Sequence, residues 1–285
     1  MRQRAVIAGG LALLMVGCAA ASPRPDRPTQ EQLARRQQLG QAAQAAIDRK
    51  DYPAALATLD RLVAEFPRSA EAHHRIGRVR QAMGRPVEAE AAYRRALALD
   101  PEYVDAMIGL GEVMTGLRRG EAALKHLDEA IELDPRRADA HLAQGQALES
   151  LGRTDEALAA YFRALQADPS QAPALLRVST IQLARHQPDQ ALVHVAQALE
   201  LTPDDPEAHF RRGLALIALK RPADAVADFK VASRLMPDRP DVFYQLAVAL
   251  DASHEPGPAL QAAERALKLA PDFADARNLS RKLKK

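Results

Sequence analysis

Apolar side chains return along this chain at helical spacing and in blocks of fixed length, so helical hairpins rather than strands are the elements the pattern predicts. Proline marks the block: Pro67, Pro101, Pro135, Pro169, Pro203, Pro237 and Pro271 stand thirty-four residues apart. Twelve residues before each proline is an alanine: Ala55, Ala89, Ala123, Ala157, Ala191, Ala225 and Ala259. Five before it lies another alanine column, Ala96, Ala130, Ala164, Ala198, Ala232 and Ala266, with Leu62 the exception. Twenty-four before it the residue is always small: Ala43, Gly77, Gly111, Gly145, Ser179, Gly213, Ala247. Two antiparallel helices approach closely only where side chains are small, so each block is expected to set this small residue of a first helix, A, against alanine of a second, B. Leu59, Tyr93, Leu127, Tyr161, Val195 and Phe229 share a column of larger residues suited to the hole between one hairpin and the next. Each proline stops helix B. The acid that soon follows (Glu71, Asp105, Asp139, Glu207, Asp241, Asp275) complements the N-terminal dipole of the next helix A.

This period, with its small-residue columns and closing proline, resembles the tetratricopeptide repeat. The resemblance covers seven units, 36–69, 70–103, 104–137, 138–171, 172–205, 206–239 and 240–273. It implies an all-α fold, a right-handed superhelical solenoid of helix-turn-helix repeats. Thr29 and Gln32 have capping-box spacing, so the first helix is expected to begin at about Gln30 and the repeat domain to span 30–273. Residues 274–285 read as a C-terminal capping helix, with Leu279 and Leu283 turned to repeat seven and Arg277, Arg281, Lys282, Lys284 and Lys285 turned outward.

The N-terminus reads differently. Two arginines within Met1–Arg4 precede an apolar run from Ala5 to Val16, the pattern of a signal peptide over 1–17. The run is shorter than the roughly 20 residues a membrane-spanning helix needs. Met15-Val16-Gly17-Cys18 resembles the lipobox of bacterial lipoproteins, and Cys18 is the chain's single cysteine. The resemblance implies a diacylglycerol and acyl lipid on Cys18, and Ala19 after it implies the outer membrane, with the protein facing the periplasm. Residues 18–29 then form the lipidated cysteine and a proline-rich tether.

Charge and chemistry narrow the function. Thirty-nine basic and 37 acidic residues give a formal net charge of +2, too balanced for a nucleic-acid binder with a large basic field. Phosphate-loop, HExxH, GxSxG and paired-cysteine patterns are missing from the sequence. After a signal peptide the repeats leave eighteen residues before them and twelve after, too few for a separate catalytic domain. No metal and no cofactor other than the lipid is expected. His73, His141 and His209 share block position 4, but they stand two repeats apart each time, roughly 20 Å by helix diameter, so they read as packing residues. The catalytic alternative is an accessory or weak enzyme on cell-wall material, with Glu112, Glu149, Asp251 or His74 on the inner wall. A carboxylate of perturbed pKa would be its mark.

The repeats offer a surface instead. At 100° per residue, positions 4, 7, 8 and 11 of helix A share one face and positions 2, 5, 9, 12 and 13 the other. The resemblance makes the second face the concave inner wall, where an extended peptide or partner helix is expected to bind. Leu176, Leu183, Phe210, Leu214, Ile217 and Tyr244 form its apolar anchor region, flanked by Arg177 and Arg211, while the N-terminal part carries His74, Arg75 and Arg78. Two alternatives are that these side chains pack between neighbouring A helices, or that they form a homodimer interface. Phe210 is taken as a surface residue, replaceable by glutamate without loss of helicity. The carboxylate clamp of chaperone-binding relatives needs asparagine on helix A, and the only asparagine here is Asn278. The resemblance thus implies a non-catalytic, lipid-anchored scaffold for protein partners in the bacterial envelope, in assembly, secretion or pilus biogenesis, bound to the membrane through its lipid and not to nucleic acid.

Overall fold

The structure is a computed structural model and describes residues 29–284. The expected signal peptide, Cys18 and the expected tether up to residue 28 lie outside the described residues. The rest is helix upon helix. In order the hairpins are α1 (Gln30–Asp48) with α2 (Tyr52–Glu65), α3 (Ala70–Ala82) with α4 (Pro86–Leu99), α5 (Val104–Gly116) with α6 (Gly120–Leu133), and α7 (Ala138–Ser150) with α8 (Thr154–Ala167). They continue with α9 (Ala172–Ala184) and α10 (Pro188–Leu201), α11 (Pro206–Ala218) and α12 (Pro222–Leu235), α13 (Pro240–Ala252) and α14 (Pro256–Leu269), and end on α15 (Ala274–Leu283). From α3 to α14 every helix starts and stops at the same place in its block. Only α1 overhangs, and a capping box opens it: Gln32 N–H donates to Thr29 Oγ1 at 3.1 Å and Thr29 N–H to Gln32 Oε1 at 2.8 Å.

Each helix packs on its hairpin partner and on the next hairpin, and A helices also meet one another, α3 with α5, α5 with α7, α9 with α11, α11 with α13 and α13 with α15. The B helices make no comparable approach to each other. The stack therefore closes up on its A side and splays on its B side, which makes the A helices an inner wall. α15 caps the far end by laying Leu279 and Leu283 on the core of the last repeats. Two of its cations turn back to pair rather than face water alone, Lys282 with Asp251 at 2.7 Å and Lys284 with Glu264 at 2.9 Å. None of the described helices is long and apolar enough to cross a membrane.

The packing corrects one detail of the sequence reading. The alanine column from Ala55 to Ala259 is fully buried as expected. The small residue of helix A, however, faces the large residue of helix B rather than that alanine. A Cβ on Gly77 would stand 2.6 Å from the Tyr93 ring, on Gly213 2.6 Å from Phe229, and on Gly111 2.5 Å from Leu127, with Gly145 against Tyr161 in the same way. All three aromatic rings of this column thus face glycine, and each is at most 1% exposed. Tyr93 reaches further, to Gly109 of the following repeat, and so wedges two hairpins together.

A second column was invisible in the residue types. Lys50, Gly84, Arg118, Gly152, His186, Lys220 and His254, thirty-four apart, all have φ between 57° and 75°. Each sits just past the C-cap of an A helix in a Schellman arrangement; at Lys220, its own N–H donates to Ile217 O (2.9 Å) and that of Arg221 to Leu216 O (2.8 Å). The side chains at the five non-glycine sites are lysine, arginine or histidine, placed where the carbonyl end of the helix dipole favours a cation. Left-handed backbone still costs a residue with a Cβ. Lys220→Gly is therefore expected to raise stability by about 0.5–1 kcal/mol, read as a higher urea midpoint at unchanged slope.

Candidate functional site

The inner wall is built from positions 5, 6, 9 and 12 of successive A helices, and the structure sorts the residues expected there into covered and open ones. Position 5 is largely covered. In three blocks the last residue, which leads into the next A helix, folds over it: Tyr103 over His74, Arg239 over Phe210, Phe273 over Tyr244. Phe210 is consequently only 8% exposed, its ring 5.8 Å from that of Phe229 and 5.1 Å beneath the Arg239 guanidinium. Its assignment as an open surface anchor is corrected: it is packing. Arg239 is held over it by Glu207 at 2.7 Å and by Asp241, acids from the first turns of α11 and α13. Arg137 forms the same bridge between Asp105 (2.6 Å) and Asp139 (2.8 Å). The acids read as dipole partners therefore also tie neighbouring A helices together.

Two further expected site residues are engaged in structure. Arg75 donates to the Gly40 carbonyl at 2.9 Å and pairs with Glu71 at 2.6 Å, linking repeats one and two. Arg211 pairs with Glu207 at 2.6 Å with little of its side chain exposed. His74 is half-buried against Tyr93 and Tyr103, with Tyr103 Oη 3.3 Å from its Nδ1. Burial, helped by Arg78 and Arg75 and opposed by Asp105 and Glu71, pushes its pKa down to about 4, so the ring is neutral at pH 7.

What stays open is mainly polar in repeats two to four, while repeats five to seven add a row of apolar side chains beside the exposed Arg177 and the partly exposed Asp251. In the polar half, buried tyrosines pass their hydroxyls through the hairpin to position 12. Tyr93 donates to Gln81 Oε1 at 2.9 Å, and Tyr161 donates to Glu149 Oε2 at 2.7 Å. Burial, reinforced at Tyr161 by the Glu149 carboxylate, pushes both phenols well up, so they remain donors. Gln81 Nε2 in turn donates to Glu112 Oε2 at 3.1 Å. Glu112 is exposed at the wall, yet its carboxyl pKa is raised, first by burial and then by Asp139, against the Gln81 hydrogen bond and Arg78. This is the mark expected of the catalytic alternative, but no hydrogen bond joins Glu112 to His74 or Glu149, and Asp251 is taken up by Lys282. Arg78 is exposed, and Arg177, also exposed, lies 3.6 Å from Glu149.

In the apolar half, Leu176, Leu183, Leu214, Ile217 and Tyr244 are each partly exposed. Leu214 and Ile217 pack their inner edges on the core of the last repeats, as Leu176 does on Val195, Leu199 and Ala208. No tyrosine occupies the large-residue column here, where Val195 and Phe229 stand, and position 12 carries Leu183 and Ile217. A cavity of about 780 Å³ lies elsewhere, where α1 overhangs the end of α2 beside Arg35, Glu65 and Phe66.

Two of the three position-4 histidines are staples, His141 and His209. His141 Nε2 donates to the Pro135 carbonyl at 3.0 Å and His209 Nε2 to Pro203 at 2.9 Å, closing the proline turn ahead of each helix. His209 Nδ1 also lies 2.8 Å from the buried carboxylate of Asp228, to which Arg212 donates twice. Among the described residues no group of three or more His, Cys, Asp or Glu is arranged to hold a metal ion.

Known proteins resemble this chain in fold. No curated protein matches its sequence. The solved structure of YrrB, a TPR protein with an unusual peptide-binding site, is 24% identical and aligns with 67% of this chain and 99% of its own at a TM-score of 0.58. That of pilF from Pseudomonas aeruginosa is 18% identical over 75% of this chain and 97% of its own, with a TM-score of 0.69. The APC/C hetero-tetramer Cut9–Hcn1 gives a TM-score of 0.70 at 18% identity, and this chain spans about half (49%) of that longer one. Tetratricopeptide repeat models match residues 41–80, 80–148, 138–181 and 179–240, which together run unbroken through most of the solenoid. With the thirty-four-residue register of its helices, this places the chain in the tetratricopeptide repeat family.

Proposed function

We propose that this protein is a lipid-anchored scaffold that holds an extended peptide or helix of a protein partner along its inner wall, in a bacterial envelope, serving assembly, secretion or pilus biogenesis. The observation that carries the reading is the open apolar row of Leu176, Leu183, Leu214 and Ile217, partly exposed on one wall of a rigid stack. The peptide-binding site named for YrrB supports it from a protein of similar fold. The anchor rests on Cys18 and the lipobox-like residues before it. One experiment tests both parts: crosslinking in intact cells with the wild type, Leu183→Lys and Cys18→Ala. Capture of a discrete envelope protein by the wild type, lost in Leu183→Lys with circular dichroism unchanged, is the expected result. Cys18→Ala should leave the membrane pellet. Recovery of only the protein's own dimer, unaffected by Leu183→Lys, would overturn the trough reading, and persistent pelleting of Cys18→Ala would overturn the anchor.

A further inference from the structure

The trough carries charge as well as apolar surface, and nearly all of that charge is answered from within. Among the described residues at positions 5, 6, 9 and 12 of repeats two to seven, Arg75 pairs with Glu71, Glu149 with Arg177, Arg211 with Glu207, and Asp251 with Lys282. Two groups remain, Arg78 and Glu112, at position 9 of adjacent repeats, and neither forms an ion pair. They are not equivalent. Arg78 is a well-solvated guanidinium, for which exposure is no penalty. The Glu112 carboxylate has one protein hydrogen bond, from Gln81, and stands where the surrounding wall and Asp139 disfavour its charge more than Gln81 and Arg78 together favour it. A carboxylate so placed gains when a cation arrives from the open side of the trough, because the one hydrogen bond from Gln81 leaves most of its acceptor capacity free for a charge-assisted bond.

We propose that the segment held in this trough carries a lysine or arginine that pairs with Glu112, set about six to nine residues of extended chain from the apolar side chains that dock on Leu183, Leu214 and Ile217. The spacing follows from the stack. Glu112 belongs to repeat three and the apolar row to repeats five and six, two to three helix diameters of about 10 Å away, and an extended chain advances about 3.3 Å per residue. The inference rests on the trough reading above and adds to it the chemistry of the occupant, one basic end and one apolar end.

The test uses the full chain and synthetic peptides in which a three-leucine anchor is followed or preceded by a single lysine at varied offsets, with norleucine replacing that lysine in matched controls. Titration calorimetry is run against wild type and Glu112→Gln, a change of nearly equal shape at an exposed position. The expected result is that lysine at the matching offset binds about tenfold more tightly than norleucine, and that Glu112→Gln abolishes this advantage without weakening the norleucine peptide. Leucine peptides that bind with no preference for lysine, or with a preference that survives Glu112→Gln, would overturn this inference and leave the trough reading standing. Failure of every leucine peptide to bind the wild type would overturn both.

Discussion

Phe210→Glu is expected to lose about 3–5 kcal/mol of stability, read as a lower melting temperature with part of the far-ultraviolet helical signal lost ahead of the main transition. Burial of the ring is lost, and a carboxylate enters beside Phe229 and under a guanidinium already committed to Glu207 and Asp241. A third acid at that cation adds repulsion as well as an unmet desolvation cost. Phe210→Leu, which keeps an apolar side chain beneath Arg239, should lose far less. A melting temperature and helicity for Phe210→Glu equal to those of the wild type would return the ring to the open surface.

Gly213→Ala is the second large effect, and the smallest change in atoms. The added methyl would stand 2.6 Å from a Phe229 ring that is fully buried and has nowhere to turn. Overpacking of this kind costs about 1–3 kcal/mol. Repeat one shows that alanine and leucine can share these two positions, since Ala43 and Leu59 are both fully buried there. Gly213→Ala combined with Phe229→Leu should therefore be more stable than the sum of the two single losses, a coupling measurable in a double-mutant cycle. Strict additivity would show that the two side chains do not meet.

The fold was legible because its period is written in residue types that cannot be exchanged. Proline cannot continue helix B, and alanine recurs at fully buried positions where a larger side chain would crowd the next helix, so both leave columns the eye can follow. The left-handed column escaped notice for the opposite reason. Backbone geometry and not side-chain chemistry repeats there, and lysine, arginine, histidine and glycine all meet it. The inner wall was legible only in part. A helical wheel places Phe210 and His74 correctly on the wall of their own helix, but it knows nothing of Arg239 and Tyr103, twenty-nine residues further on, which close over them. The pairing of glycine with an aromatic ring was within reach: Gly77, Gly145 and Gly213 are followed sixteen residues later by Tyr93, Tyr161 and Phe229. Each column was read alone, so their correlation went unused. Glu112 was named beside Glu149 and Asp251 from its place on the wall, but the sequence could not set it apart from them, because the difference is the ion-pair partner that they have and it lacks.

The tyrosine hydroxyls that cross the second and fourth hairpins have a consequence for how such a protein can change its taste in partners. Gln81 and Glu149 are held in place from behind, by an oxygen that never meets solvent. In repeat six the same core site is occupied by a ring without that oxygen, and the wall in front of it is isoleucine. What the outer rank of side chains can display is thus partly decided in the interior, where the difference between phenylalanine and tyrosine is one atom. A lineage of such proteins could redraw its binding preferences while keeping every contact of the solenoid, by moving a single hydroxyl from one hairpin to the next.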